Sequence, residues 1–300
     1  MERKILITGA SGLIGKKLTE LLLLNNYEVV HLGRSKKQGK VASFIWDIEK
    51  KMIDPNAFEK VDTIIHLAGA NVGEKRWTEK RKKEILDSRI QSTFLLKEFL
   101  QKKAHSVKTF ISASAIGYYG FEGDRIFQED DKPGNDFLAR VTKGWEDAVD
   151  EINMLGIRVV KIRIGIVLSK EGGALKEIAK PISFGVGSPI GSGQQYLSWI
   201  HIHDLCLIFV KAIEDEKMNG AYNAASSWIN NKDLTQLIAK ILRKPLWMPN
   251  VPSFALKFIL GEMAQIVMNG SKVSSKKISQ TGFKFQFNEI ENALRNLLAD

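Results

Sequence analysis

The chain has little cysteine and no long apolar run, and each absence excludes a class of protein. One cysteine among 300 residues rules out an internal disulfide and a cysteine-based zinc site. Cys206 lies within the apolar stretch 205–209, which indicates a buried small hydrophobe rather than a nucleophile. This cysteine usage is typical of a reducing compartment, and we expect a cytoplasmic location.

Segments for export or membrane insertion are also lacking. No stretch approaches the roughly 20 consecutive apolar residues that a membrane-spanning helix needs. The chain begins with basic residues before an apolar run, as a signal peptide does, but that run covers only residues 5–7. We therefore expect neither export nor a membrane partner.

Positive charge is in excess, with 44 lysines and arginines against 34 aspartates and glutamates and a formal net charge of +10. Basic runs such as 80–83 and 276–277 could contact nucleic acid. The lysines are nevertheless scattered along the whole chain, without a DNA- or RNA-binding motif. We expect a solvated basic surface and no nucleic-acid partner; RNA binding is an alternative that a strong salt dependence would reveal.

Strand-like and helix-like segments alternate through the first half of the chain. Predicted strands cover 3–8, 27–32, 44–46, 63–67, 108–112 and 158–166, and predicted helices cover 16–25, 78–103 and 136–155. This alternation predicts an α/β fold with a Rossmann-type, doubly wound parallel sheet. We assign residues 1–170, completed by parts of 195–225, to a dinucleotide-binding domain.

The composition changes near residue 172. Residues 172–194 are rich in glycine, proline and serine, so we expect a loop-rich region on the substrate side of the fold. Regular segments return at 202–214, 233–242 and 252–261, and the basic tail 271–287 could hold a last helix and strand. Residues 171–300 are therefore assigned to a smaller substrate-side region with a C-terminal module.

A glycine-rich turn joins the first predicted strand to the first helix, with the spacing G-x-x-G-x-x-G. Gly9 permits the tight turn, Gly12 lets the backbone approach a pyrophosphate, and Gly15 lets helix and strand pack closely. The start of the helix offers free N–H groups and the positive end of its dipole to phosphates. In this position the loop predicts a dinucleotide site. The other loop residues assigned to the site are Ser11, Leu13 and Ile14.

The end of the second predicted strand distinguishes NAD from NADP. An acidic residue there would bond the ribose 2′-hydroxyl and repel a 2′-phosphate. The chain instead has Gly33-Arg34-Ser35-Lys36-Lys37, without a carboxylate. Arg34 can hold a phosphate through its planar fork, helped by Ser35 or Lys36, so we expect NADP(H) as the cofactor.

Further motifs follow the glycine loop in order along the chain. They lie at 66–69, 75–78, 87–89, 112–120, 191–193, 198–202 and 261–264. This ordered set resembles the extended short-chain dehydrogenases/reductases, the sugar-nucleotide epimerase group, and more narrowly the atypical branch called epimerase family proteins. The last motif resembles the C-terminal domain of unknown function that this branch carries.

The resemblance implies further cofactor contacts on the strand end after 63–67 and on the helix that follows it. The residues implied are Leu67, Ala68, Glu84, Arg89 and the backbone of Val167. Asp47, after the third predicted strand, would be a neighbour of the adenine.

Most members of the superfamily transfer a proton with a serine, a tyrosine and a lysine, the last two in the pattern Y-x-x-x-K. Ser114 corresponds to the serine. The corresponding helical segment, 137–143, contains no tyrosine. Lys143 or Thr142 would occupy the lysine position, and Leu138 or Ala139 the tyrosine position. The tyrosine–lysine mechanism is therefore incomplete in this chain.

Other side chains could replace the missing tyrosine. Tyr118 or Tyr119, on the loop after the strand of Ser114, could donate the proton or simply line a pocket. His201 and His203 could shuttle protons, or they could be packed and hydrogen-bonded without a role in chemistry. No cluster of metal ligands competes with these candidates, and we expect no metal.

The sequence predicts an NADP(H)-dependent oxidoreductase or epimerase-like enzyme, monomeric or homodimeric, for an unidentified small polar substrate. Its catalytic candidates are Ser114, Tyr118 and Lys143. Residues 75–77 could clamp an anionic substrate, with Trp77 stacking on it. Because the tyrosine is missing, the alternative is a non-catalytic NADP(H)-binding sensor or partner-binding protein.

Overall fold

A computed structural model describes residues 3–36, 38–121 and 124–299. The strands are β1 (Lys4–Thr8), β2 (Glu28–Gly33), β3 (Ala42–Asp47), β4 (Met52–Ile53), β5 (Thr63–His66), β6 (Thr109–Ala115), β7 (Ile126–Phe127), β8 (Arg158–Ile164), β9 (Ile166–Leu168), β10 (Tyr196–His201), β11 (Gly220–Ala224), β12 (Ser227–Asn230) and β13 (Lys272–Val273). The helices are α1 (Leu13–Leu24), α2 (Glu79–Lys102), α3 (Phe137–Asn153), α4 (Ala174–Ser183), α5 (Ile202–Glu214), α6 (Asn231–Leu242), α7 (Ser253–Leu260), α8 (Gln265–Met268), α9 (Lys276–Gln280) and α10 (Ile290–Leu298).

The main sheet of the described residues has eight strands in the order β4-β3-β2-β1-β5-β6-β8-β11. Its neighbours run parallel except at one edge, where β4 is antiparallel to β3. The chain moves outward from β1 through β2 and β3, then crosses to β5 on the other side of β1. This sheet confirms the predicted α/β, Rossmann-type fold and places a topological switch point between β1 and β5.

The central strands are apolar in their middle because helices cover the sheet. In β1, Ile5, Leu6 and Ile7 have no exposed surface, and Ile64 and Ile65 in β5 are equally buried. Of the helices around them, α1 packs against α5 and α2 against α3. Removing these side chains from water supplies the main driving force for folding and fixes the strand ends at which the site lies.

At Gly165 the chain leaves the main sheet and enters a second sheet. The sequence predicts one strand over 158–166, but β8 ends before Gly165, and β9 begins after it in a sheet with β10 and β12. The Gly165 amide donates to the Ala224 carbonyl oxygen at 3.0 Å. A Cβ on Gly165 would lie 2.7 Å from the carbonyl oxygen of Ser198. The single predicted strand was wrong, because close backbone approach from two sides turns the chain here.

The glycine- and proline-rich segment 172–194 is more regular than predicted, because α4 occupies much of it and contains Pro181. Leu175, Ala179 and Ile182 recur at helical spacing and are buried in a cluster with the second sheet, α6 and α10. The expectation of a loop-rich region did not include this helix. Burial of one apolar helix face outweighs the local breaking signals.

The C-terminal tail forms short helices and a strand beside the two sheets. β13 pairs with β7, and α9 follows, as the tail prediction required; α10 continues beyond it and packs against α6. The main sheet itself is completed from late in the chain by β11. The division into two domains near residue 170 stays a prediction.

Candidate functional site

Three glycines at the switch point have different surroundings. Gly9, at φ +68°, follows β1, and a Cβ there would lie 2.7 Å from the carbonyl carbon of Leu67. A Cβ on Gly15 would lie 2.6 Å from the Cα of Ala10. Gly12 is exposed, and a Cβ on it would approach only the carbonyl oxygen of Gly9, at 3.3 Å. Two of the glycines therefore allow strand and helix to pack, while the third leaves the top of the loop open to a ligand.

The N-terminus of α1 faces this loop without a side-chain cap and without an acidic residue in its first turn. The Gly12 amide donates to the Gly9 carbonyl at 3.0 Å, and the first helical bond runs from the Lys16 amide to the Gly12 carbonyl at 3.0 Å. The amides of the three intervening residues lack an intrahelical acceptor, as at any uncapped helix start. They belong to Leu13, Ile14 and Gly15. The arrangement fits a pyrophosphate above the loop, beside the exposed Ser11.

A buried polar network fixes the neighbouring strand end. The amides of Leu67 and Ala68 donate to Oγ1 of Thr8 at 3.2 and 3.3 Å. Thr8 Oγ1 also lies 2.8 Å from Nδ1 of His66, whose Nε2 lies 3.2 Å from the hydroxyls of Ser92 and Thr93. Burial, with a smaller effect of the Arg89 charge, lowers the pKa of His66 to about 3, so its ring is neutral. No local sequence pattern indicates this network, although His66 lies in one of the motifs.

The end of β2 is polar and exposed, and Gly33, Arg34 and Ser35 lie in a turn without a carboxylate. Lys37, which the sequence analysis included in this basic turn, lies outside the described residues. Glu84 is the acidic group nearby: a hydrogen bond from Arg81 and the charges of Arg81, Lys75 and Arg34 lower its pKa. The turn therefore carries net positive charge, as a phosphate site requires.

Arg81 anchors this side of the site. Its guanidinium is 7% exposed and donates to Glu84 Oε2 at 2.8 Å and to the Asn71 carbonyl at 2.5 Å. It therefore ties the start of α2 to the loop after β5. Arg81 is not among the residues predicted for the site, because a basic residue early in a lysine-rich helix gives no sign that it is buried.

Arg89 lies further along α2. Its Nη1 donates to the carbonyls of Ala70 and Ile85 at 3.0 and 2.9 Å, and its guanidinium lies over the ring of Trp145 at 5.2 Å. Burial and the charge of Arg81 lower the pKa of Arg89 to about 10, so it remains cationic at neutral pH. Within the described residues, its Nε and Nη2 have no hydrogen-bond partner, which leaves one edge of the cation available to a ligand.

Ser114 belongs to a buried network instead of facing solvent. It is 3% exposed, and its hydroxyl donates to Glu146 Oε1 at 2.5 Å. Glu146 also accepts two hydrogen bonds from Arg163, both at 2.8 Å. Burial would raise the pKa of Glu146, but the hydrogen bond and charge of Arg163, with the Ser114 and Lys161 contacts, lower it below its usual value. Ser114 therefore has its hydrogen committed inside the protein.

The two neighbouring tyrosines differ in what their hydroxyls contact. Tyr119 is buried; its hydroxyl donates to Asn223 at 2.7 Å and accepts from Arg163 at 2.9 Å. Tyr118 is half-buried, with its ring 3.6 Å from the Arg163 guanidinium. Its hydroxyl has no hydrogen-bond partner in the described part of the chain. Of the two, only Tyr118 offers its hydroxyl to a ligand.

The helix segment that should carry the tyrosine and lysine has a definite register. A Cβ on Gly117 would lie 3.4 Å from Leu138 and 3.8 Å from the Thr142 hydroxyl, so these two side chains face the loop after β6. Ala139 is fully buried. Lys143 is about half exposed and bonds Asp147 at 2.6 Å, a bond that raises the pKa of Lys143. The structure therefore does not bring Lys143 beside Ser114.

Other candidates are structural in their contacts. Trp77 is 7% exposed, donates to the Val72 carbonyl at 2.9 Å and packs on Phe137, so the expectation that it stacks on substrate was wrong. His201 stacks on Phe287 at 3.9 Å and accepts from the amide of His203; burial lowers its pKa to about 4. Of the two alternatives for His201, a proton shuttle or a packed histidine, these contacts fit the packed histidine.

Val167 lies in β9, where its backbone pairs with β10 and its side chain packs against the main core. Asp47 ends β3, and a hydrogen bond from the Lys50 amide lowers its pKa.

No group of three or more potential metal ligands occurs among the residues that the structure describes. No helix in the described ranges is long and apolar enough to cross a bilayer.

Comparisons with known proteins agree with this geometry. A family model described as "NAD dependent epimerase/dehydratase family" matches residues 5–225, and one described as "Domain of unknown function (DUF1731)" matches residues 251–297. The epimerase family protein YfhF of Bacillus subtilis is 35% identical over 300 residues, which cover 99% of this chain and 98% of YfhF. These matches confirm the predicted family and its C-terminal domain.

Solved structures give the same result. The crystal structure of human epimerase family protein SDR39U1 with NADPH matches at 30% identity and a TM-score of 0.87, covering 98% of both chains. A nucleoside-diphosphate sugar epimerase from Corynebacterium glutamicum matches at 28% identity and a TM-score of 0.81, covering 99% of this chain but 58% of that longer one. The fold of this chain is thus that of NAD(P)-binding epimerases.

Proposed function

We propose that this chain, which belongs to the epimerase family proteins of the NAD dependent epimerase/dehydratase family, is an NADP(H)-dependent oxidoreductase or epimerase-like enzyme for a small polar substrate. The observation that carries the proposal is the carboxylate-free, basic end of β2 beside an uncapped helix N-terminus. The NADPH in the human relative's structure supports the same cofactor here.

The residues present fit this cofactor. The open glycine loop and the amides at the start of α1 would hold the pyrophosphate, and Arg34 with Ser35 would hold the 2′-phosphate. The strand end at Leu67 and Ala68 would contact the adenosine half. Glu84, Arg89 and the backbone at Val167 are further contacts that the family resemblance implies.

NADP(H), when bound, supplies or accepts a hydride at its nicotinamide ring. For the matching proton we propose Tyr118, because its hydroxyl is the one left without a partner. Ser114 would then act through others: it bonds Glu146, which holds Arg163 under the Tyr118 ring. Lys143 was the third catalytic candidate, and its exposed pairing with Asp147 gives it no part in this scheme.

A second candidate function is a non-catalytic NADP(H) sensor. The specific observation in its favour is that Leu138 and Thr142 face the loop after β6, in the segment where the family resemblance leads us to expect the tyrosine and lysine. An apolar residue there cannot transfer a proton, so cofactor binding could be all that this fold retains.

Cofactor binding is tested by titrating NADPH and NADH against tryptophan fluorescence and thermal stability. We expect NADPH to bind more tightly. Arg34→Ala should weaken NADPH binding by roughly tenfold or more, because a charge-assisted phosphate contact is lost, and leave NADH unchanged. Arg295→Ala, an exposed arginine on α10, is the matched control. No response to either nucleotide would refute the proposal.

Enzyme and sensor are separated by hydride exchange, measured as loss of label from 4-labelled NADPH in the presence of carbonyl compounds and sugar nucleotides. An enzyme should exchange label with one class, and Tyr118→Phe should slow that exchange by roughly 100-fold or more. Tyr27→Phe, which alters another tyrosine hydroxyl, should not. NADPH binding without exchange on the whole panel would favour the sensor.

A further inference from the structure

A group of large apolar side chains is exposed on the C-terminal half of the molecule. They are Phe184 (74% exposed), Val186 (51%), Trp247 (68%), Phe254 (77%), Phe258 (84%) and Ile259 (62%). We call this group the aromatic patch. Single exposed apolar residues are ordinary on soluble proteins, but a contiguous group of this size marks a contact surface.

Hydrogen bonds join the segments that carry the patch. Trp247 Nε1 donates to the Gly185 carbonyl at 2.9 Å, which brings the turn after α4 against the loop after α6. The Val251 amide donates to the Pro189 carbonyl at 2.9 Å, and the Gly191 amide donates to the Val251 carbonyl at the same distance. Since α7 starts just after Pro252, the three segments form one surface.

Helix α7 contributes the most exposed members and has no buried residue. It is held at its C-terminal end: Arg76 donates to the Phe258 carbonyl at 3.3 Å, and Lys82 pairs with Glu262 at 2.6 Å just beyond the helix. The helix therefore keeps its place without burying Phe254 or Phe258, and both rings project into solvent.

The charged residues within the segments that carry the patch have one sign. Residues 178–203 and 234–261, which include the whole patch, contain no aspartate or glutamate. Four exposed basic side chains in these segments form no ion pair with any described residue: Lys180, Arg243, Lys244 and Lys257. A second copy of this face would be repelled by the first, whereas an anionic surface would be attracted.

We propose that the aromatic patch docks on an anionic lipid surface. Phe254, Phe258 and Trp247 insert at the boundary between headgroups and acyl chains, and the surrounding lysines contact lipid phosphates. A bilayer accommodates rings that project singly, whereas a protein partner would need a separate pocket for each. The proposal departs from the expectation of no membrane partner, which rested on the lack of a spanning segment. It is independent of the proposed function.

The test is co-sedimentation of the full chain with phosphatidylcholine vesicles that contain or lack phosphatidylglycerol. The protein should sediment with the anionic vesicles, and less so as salt rises. Phe254→Ser with Phe258→Ser should reduce this binding by roughly tenfold or more, because two buried rings are lost. The control is Leu24→Ser with Met154→Ser, whose side chains are 80% and 76% exposed outside the patch; it should bind like the wild type.

Charge is tested in the same assay by changing Lys180, Lys244 and Lys257 together to glutamine, which should remove the preference for phosphatidylglycerol. Three results would overturn the proposal: no sedimentation with either vesicle, equal losses in the patch and control variants, or self-association in solution that the patch variant abolishes while vesicles bind neither protein. Thermal unfolding and NADPH titration of each variant ensure that it is folded.

Discussion

The two halves of the candidate site differ in what they demand of the sequence. The cofactor half is made largely of backbone. It consists of the amides at the start of α1, an open glycine loop, and a strand end whose amides are hydrogen-bonded to Thr8. The reaction half depends on individual side chains, and its helix segment 137–143 contains no tyrosine, while Leu138 and Thr142 face the loop after β6. Backbone recognition survives substitution nearby, whereas proton transfer is lost with one side chain. A family can therefore keep its cofactor while its chemistry changes.

The largest effect should come from Gly9→Ala, which attacks the backbone half. A side chain at φ +68° and 2.7 Å from the Leu67 carbonyl carbon is strained and clashes. We expect the free energy of unfolding to fall by roughly 3 kcal/mol and NADPH binding to be lost. Urea denaturation and fluorescence titration measure both.

The matched control for Gly9→Ala is Gly39→Ala, since a Cβ on Gly39 would have no atom within 4 Å. Its stability should stay within about 0.5 kcal/mol of the wild type. If the two variants were equally stable and bound NADPH equally well, the loop's fixed geometry would not be what binds the cofactor.

Glu146→Gln should have the next largest effect, and it tests the reaction half separately from the cofactor half. The change leaves the buried Arg163 cation without its counter-charge, which should cost about 3 kcal/mol of unfolding free energy. Asp147→Asn removes an exposed pair on the same helix and should cost less than about 1 kcal/mol. NADPH affinity should survive both; its loss in the Glu146 variant would show that the two halves are coupled.

The wild type and Glu146→Gln should also differ in how their stability depends on pH. Because the pKa of Glu146 is held below its usual 4.5 in the folded protein, its ionised form stabilises the fold above that value. This contribution disappears as the pH falls through the lowered pKa. The stability difference between wild type and Glu146→Gln should be constant near neutrality and shrink below pH 4.5, as urea denaturation across pH can measure.

Lys143→Ala should have the smallest effect. Its ion pair with Asp147 is exposed, so removing it should change stability by less than about 0.5 kcal/mol and leave label exchange from NADPH unchanged. A tenfold slower exchange would return Lys143 to the reaction and contradict its placement on the outer face of α3.

The sequence signals for the cofactor half are local, whereas the contacts of the reaction half are not. Glycine spacing, the strand before it and the helix after it are local signals, and so is the basic turn at Arg34. The burial of Ser114 is not local: it depends on β6 pairing with β8, which sets Ser114 opposite Arg163, and on the turn of α3 that presents Glu146.

A difference of one residue was equally hard to predict. Whether Thr142 or Lys143 faces the loop after β6 depends on the rotation of α3, which its neighbours set rather than its own sequence. Around α4, the glycines and the proline gave no sign of a helix whose apolar face packs against α6 and α10, which are distant in sequence. His66 lies in a strand motif, and no local sequence pattern predicts that its imidazole is buried.

The neutral ring of His66 has a further consequence, because the direction of every hydrogen bond through it is determined. Thr8 Oγ1 accepts from two amides, so its own hydrogen goes to Nδ1 of His66 and the ring proton resides on Nε2. From Nε2 the network continues to the hydroxyls of Ser92 and Thr93, which donate in turn to the carbonyls of Ser88 and Arg89 at 2.7 and 2.8 Å. A series of hydrogen bonds with one direction thus joins β1 to α2, and the tautomer of one histidine sets that direction.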